Sequence, residues 1–145
     1  MKTRIAFGFF FLMFVLVLPA IADSKGELQK YFNNTANKIK ATVNPTEKRA
    51  ILNESFQSMN KALDIVKSSP LVSKEDGVGI DQMKAKLQDK QDQLEGNNGY
   101  TRVSDLQLNQ FSNYVVQDME QADPIISISL VTLLLIILLV VLIVK

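Results

Sequence analysis

The run from Ile125 to Val144, IISISLVTLLLIILLVVLIV, holds 20 residues with no charge, no proline and no glycine. As an α-helix it rises about 30 Å, the thickness of the hydrocarbon core of a bilayer. A helix also satisfies its own backbone hydrogen bonds, which lipid cannot do for it. The sequence therefore predicts a single transmembrane helix over residues 125–144, followed by Lys145. Its polar groups are Ser127, Ser129 and Thr132. With no Asp, Glu, Lys, Arg, Asn or Gln inside it, the run is a poor ion pathway or proton relay. Ser129 and Thr132 lie three apart and can face a neighbouring helix. A plain anchor with serines near the interface is the simpler reading.

A second apolar run opens the chain. Lys2 and Arg4 precede the apolar stretch Ile5–Leu18, which is followed by Pro19 and the small-x-small site Ala20-Ile21-Ala22 before Asp23. That order predicts a secretory signal peptide, residues 1–22, cut after Ala22. The alternative is an uncleaved anchor, since residues 5–22 are just long enough to span. Cleavage leaves residues 23–124 as an extracytoplasmic domain. The flanks of the span agree with that orientation: Asp118, Glu120 and Asp123 precede it, and Lys145 follows it. A lipid anchor fits the tail poorly, because Tyr114 is large where small residues are wanted. A bacterial lipoprotein is excluded, as there is no cysteine to acylate.

Between the two apolar ends the periodicity predicts four amphipathic helices. The first spans Glu27–Val43, with a stripe of Leu28, Tyr31, Phe32, Ala36, Ile39 and Val43 and a polar middle at Asn33-Asn34-Thr35. The second starts at the cap Asn44, with Pro45 at its first position and Glu47 two residues later, and runs to about Ser68. Leu52, Phe56, Met59, Leu63 and Val66 form its stripe, widened by Ile51 and Ala62. The third runs from Ser73 to Leu94 or Glu95 on Ile80, Met83, Leu87 and Leu94, with Lys90 and Gln91 where another apolar residue belongs; Gly96 ends it. The fourth starts at the cap Ser104, stapled by Val103 and Leu108, and carries Phe111, Val115 and Met119 to about Ala122. The expected fold is all-α: a small antiparallel three- or four-helix exported domain followed by one C-terminal transmembrane helix. The thin stripe of the third helix points to a domain of marginal stability that leans on partners.

Composition removes most chemistry. With neither histidine nor cysteine, the chain lacks Ser-His-Asp and Cys-His catalysis, thiol redox chemistry and His or Cys metal sites. All 15 Asp and Glu fall between the apolar ends, whereas Lys2, Arg4 and Lys145 do not. The middle is therefore slightly acidic and offers no footprint for nucleic acid. Gly77-Val78-Gly79 is too short to cradle phosphate. Asp89, Asp92 and Glu95 can share a helix face as a weak cation site or docking patch, although a solvated face is the plainer reading. Glu120 and Asp123 read as topology signals. Ser55, Ser58, Lys61 and Lys84 pair as a serine–lysine couple only on paper. Asn33-Asn34-Thr35 and Asn53-Glu54-Ser55 match the N-glycosylation pattern. Phe56, Met59 and Phe111 read as core rather than a ligand groove.

These features predict no catalytic, cofactor-binding or metal-binding residue. The expected partners are the lipid bilayer and a protein partner, or a second copy, met through helical faces. The expected function is a membrane-anchored, non-enzymatic interaction or assembly module, with a bacterial inner membrane and a periplasmic domain as the favoured setting. Two alternatives stand beside it: a membrane-perturbing two-span protein retaining residues 5–22, and a small carboxylate-dependent enzyme.

Overall fold

The computed structural model describes residues 24–120 and 128–144. The expected signal peptide and its cut site, and the junction at 121–127, lie outside the described residues. Among the described residues there are five α-helices: α1 (Ser24–Ala41), α2 (Pro45–Lys67), α3 (Lys74–Glu95), α4 (Leu108–Glu120) and α5 (Leu130–Val144). A 3-10 turn, Asp105–Gln107, precedes α4. No strand occurs among the described residues.

The helix boundaries follow local chemistry. Asn44 takes an extended backbone, and its Oδ1 accepts the amides of Thr46 at 2.8 Å and Glu47 at 3.4 Å, with Pro45 at the first helical position. That cap forces the chain to turn at 42–44, so α1 stops at Ala41 and Val43 projects into solvent, 93% exposed. Val43 thus leaves the stripe to which its spacing assigned it. Ser73 caps α3 by accepting the Asp76 amide at 3.1 Å. Gly96 ends α3 with φ +78°, its amide donating to the Asp92 carbonyl at 2.8 Å. Ser104 makes no side-chain cap. The 3-10 turn fills its place, leaving Leu106 fully exposed and delivering Leu108 into the core.

α2 is the central element and packs against α1, α3, α4 and α5. Its stripe Leu52, Phe56, Met59, Leu63 and Val66 is buried throughout. Ile39, Ile80, Met83, Leu87, Leu94, Leu108 and Met119 complete the core from the other helices. Contacts between Arg49 and Leu94 at one end, and between Lys67 and Asp81 at the other, set α3 antiparallel to α2. α4 runs antiparallel to α3, with Lys86 and Lys90 beside Asp118.

α5 is where the structure departs from expectation. Instead of standing apart as a span, it lies against α2 and α1, and Leu133, Ile136 and Val140 belong to the common core. Among the described residues no helix is long and apolar enough to cross a membrane. The 15 residues of α5 rise only about 22 Å. The physical reason is that in water an apolar helix gains by covering the apolar faces of its neighbours. The coverage is one-sided, however. Val131, Val141, Leu142 and Val144 remain exposed on the outer face of α5.

Candidate functional site

The bundle buries several polar side chains, and each is held by identifiable partners. One buried carboxylate is Asp76, 6% exposed in the first turn of α3. Its Oδ1 accepts the backbone amide of Ser129 at 2.8 Å, and its Oδ2 accepts the hydroxyls of Ser129 and Thr132, both at 2.7 Å. Ser129 and Thr132 therefore do face a neighbouring helix. Asp76 sits in the positive field of the α3 N-terminus and caps the N-terminus of α5 as well. Burial alone would push this carboxyl up. The donors from Ser129, Thr132 and Ser73 outweigh it and hold Asp76 below the ordinary carboxylate value.

A second cluster joins α3 to α4. Lys90 occupies the gap in the α3 stripe and is almost wholly buried. Its ammonium lies 2.9 Å from Asp118 Oδ2, donates to the Tyr114 hydroxyl at 2.8 Å and sits 4.5 Å from the centre of that ring. Lys86 adds a contact at 3.5 Å to the same Asp118 oxygen. These contacts to Asp118 Oδ2 are ionic rather than aligned hydrogen bonds. Burial pulls the Lys90 ammonium down, but Tyr114 and Asp118 more than offset it, so Lys90 is held above its ordinary value and stays charged.

Arg49 forms the third site. Its guanidinium donates to the Leu94 carbonyl at 2.8 Å, to the Val103 carbonyl at 2.7 Å and to Asp105 at 3.1 Å. It thereby satisfies one of the last carbonyls of α3 and fixes the loop leading to α4. Between α1 and α2, Tyr31 donates to the Ser55 carbonyl at 2.9 Å, and Thr35 meets the Ser55 hydroxyl at 3.1 Å. Burial raises the Tyr31 phenol above its ordinary value.

The structure separates the residues that the sequence offers as a carboxylate site. Asp89 accepts from Tyr100 at 2.5 Å and from Gln93 at 2.7 Å, and the Tyr100 bond in particular lowers its proton affinity. Asp92 accepts from Gln88 and Asn98, while Glu95 accepts from Asn53. The three carboxylates thus engage three separate sets of partners. Among the described residues no three acidic groups are placed to hold a metal ion. The serine–lysine arrangement also dissolves: Ser55 faces α1, Lys61 is exposed and Lys84 pairs with Asp64. Phe56 and Met59 are fully buried in the core, with Phe111 at its margin. Asn33 is exposed, whereas the Asn53 amide is engaged by Glu95 at 2.6 Å. Asp123 lies outside the described residues, as does the side chain of Glu120.

Sequence reasoning missed the roles of Asp76, Arg49 and Lys90. Lys90 carried a usable signal, because a charged residue interrupting an apolar stripe marks a partner in the facing helix. Asp76 carried none, since its donors lie more than 50 residues away. Compared with known proteins, the chain matches no family model, no curated relative and no solved structure.

Proposed function

We propose that this protein is a membrane-tethered, non-enzymatic helical interaction or assembly module. In this reading residues 1–22 are a cleaved signal peptide, α1–α4 lie on the extracytoplasmic side of a bacterial inner membrane, and residues 125–144 form the membrane element. One observation carries it: α5 is apolar on both faces. Leu133, Leu134, Ile136 and Val140 point inward, and Val131, Val141, Leu142 and Val144 point outward on the same helix. A helix that only completes a water-soluble bundle needs polar residues on its outer face, as α2 and α3 have at Lys61, Asp64, Asp81 and Gln88. Fully covering a Val or Leu side chain is worth about 1.5–3 kcal/mol. A bilayer therefore offers α5 several kcal/mol that the bundle leaves unrealised, against the loss of the faces it covers on α1 and α2.

The absence of histidine and cysteine, together with the divergent carboxylates of α3, supports a role in binding rather than catalysis. The apolar stripes of α1–α4 are spent on the common core, and Ile65, Val78 and Tyr114, exposed on α2, α3 and α4, are what these helices offer a helical protein partner or a second copy.

Protease digestion of intact right-side-out membranes, with a tag after Gly26, tests the reading. The expected result is a tag cleaved without permeabilisation, and a chain that alkaline carbonate fails to extract. A tag protected in intact membranes, or a chain released by carbonate, defeats it. Membrane perturbation is the second reading, favoured by the packing of an apolar helix inside a bundle that can carry it through water. Retention of residues 5–22 and dye leakage from vesicles distinguish it.

A further inference from the structure

We propose that Asp76 is the latch that keeps α5 stowed in the bundle, and that breaking this latch delivers α5 to a lipid bilayer. The inference rests on the reading of residues 125–144 as the membrane element.

Among the described residues, the polar ties between α5 and any other helix all run to Asp76, through Ser129 N, Ser129 Oγ and Thr132 Oγ1. The other buried side chains of α5, Leu133, Leu134, Ile136 and Val140, are apolar. Their contacts are non-directional, and lipid tails replace them without loss of chemistry. A carboxylate bound by three donors has no such replacement in hydrocarbon. The latch therefore decides between two environments that otherwise compete on similar terms.

α5 is also prepared to leave. The Ser129 hydroxyl lies 3.4 Å from the Thr132 amide and 3.0 Å from the Thr132 hydroxyl, and the Ser129 carbonyl accepts the Leu133 amide at 3.0 Å. Ser129 is thus an N-cap in its own right, so the first turn of α5 keeps its internal bonds when Asp76 is withdrawn. On the other side, Asp76 belongs to a helix still capped by Ser73, and as a free carboxylate it returns to water. Apart, Asp76 is hydrated and the first turn of α5 stays formed, while the Ser129 amide and the Thr132 hydroxyl give up their acceptor, so opening has a definite cost without dismantling either helix.

The test uses the full chain, which has no native cysteine, with Leu142→Cys carrying an environment-sensitive fluorophore. Vesicles of zwitterionic phospholipid contain a lipid-borne quencher. The quencher is carried deep on the acyl chain, so it reports insertion of α5 and not surface docking through residues 5–18. Asp76→Asn and the double change Ser129→Ala/Thr132→Ala are each expected to raise the inserted-to-stowed ratio by roughly tenfold or more. Combining them should add little, because both remove one shared contact. Asp81→Asn, an exposed acid on the same helix, should leave the ratio unchanged. Circular dichroism checks that each variant remains helical. Equal quenching in all variants, or full additivity of the two changes, overturns the latch while leaving the membrane element intact. No quenching in any variant, even after dilution from urea into vesicles, overturns the membrane reading and the latch with it.

Discussion

Thr132 of α5 donates its hydroxyl to Asp76 of α3 across 2.7 Å, joining residues 56 apart in the chain. That bond, with the two from Ser129, gives an otherwise featureless apolar helix a defined register in the bundle. It also makes the stability of the fold depend on pH. The native Asp76 carboxyl is held below its ordinary value. Its contribution is therefore complete above the unfolded value, near 3.9, and is lost as pH falls through the lower folded value. The urea midpoint of the wild type should fall more between pH 6 and pH 3 than that of Asp76→Asn. Equal falls would mean that Asp76 is not linked to folding.

The Lys90–Asp118 pair should respond asymmetrically to truncation. The Lys90 side chain is 4% exposed and that of Asp118 is 27% exposed, with Lys86 also in reach of Asp118. Asp118→Ala strands a buried ammonium and is expected to cost about 3–5 kcal/mol. Lys90→Ala leaves a carboxylate with water and Lys86 still available, and is expected to cost less, about 1–3 kcal/mol. Chemical denaturation of both variants gives the order, and the reverse order contradicts this account of the pair.

Gly96 should not tolerate a side chain. Its φ of +78° is left-handed, and a Cβ there would lie 2.8 Å from the Arg102 amide nitrogen and 2.9 Å from the Arg102 Cβ. The backbone conformation alone makes Gly96→Ala unfavourable by about 1–2 kcal/mol, and the crowding against Arg102 adds to it. Thermal unfolding measures the loss. Gly99→Ala is the control for crowding, since it shares the positive φ and has open space around it.

Phe56 lies at the centre of the core with no exposed surface. Phe56→Ala should destabilise by about 3–5 kcal/mol, a large share of the stability of a small domain. A change under about 0.5 kcal/mol would place that face of α2 outside the core.

The elements most legible in the sequence were those governed by neighbours in the chain. Asn44-Pro45 marked the start of α2, Gly96 marked the end of α3, and the α2 stripe from Leu52 to Val66 is buried as its period requires. Long-range polar pairing was not legible. Lys90 looked like a flaw in an apolar stripe because its partners, Tyr114 and Asp118, lie on another helix. The position of α5 was hidden for a different reason. A helix that is apolar all round suits lipid and a protein core equally well, so its pattern carries no information about which one covers it. Ser129 and Thr132 held the only hint, and its meaning required Asp76.

The most direct measurement is the distance between spin labels at Ala50→Cys on α2 and Leu142→Cys on α5, read with and without phospholipid vesicles. Without lipid a single short distance is expected, as for helices packed in one bundle. With vesicles a second, longer population is expected, and it grows in Asp76→Asn. One unchanged short distance in vesicle-bound protein, in both wild type and variant, would show that α5 is a permanent core helix and would contradict the account.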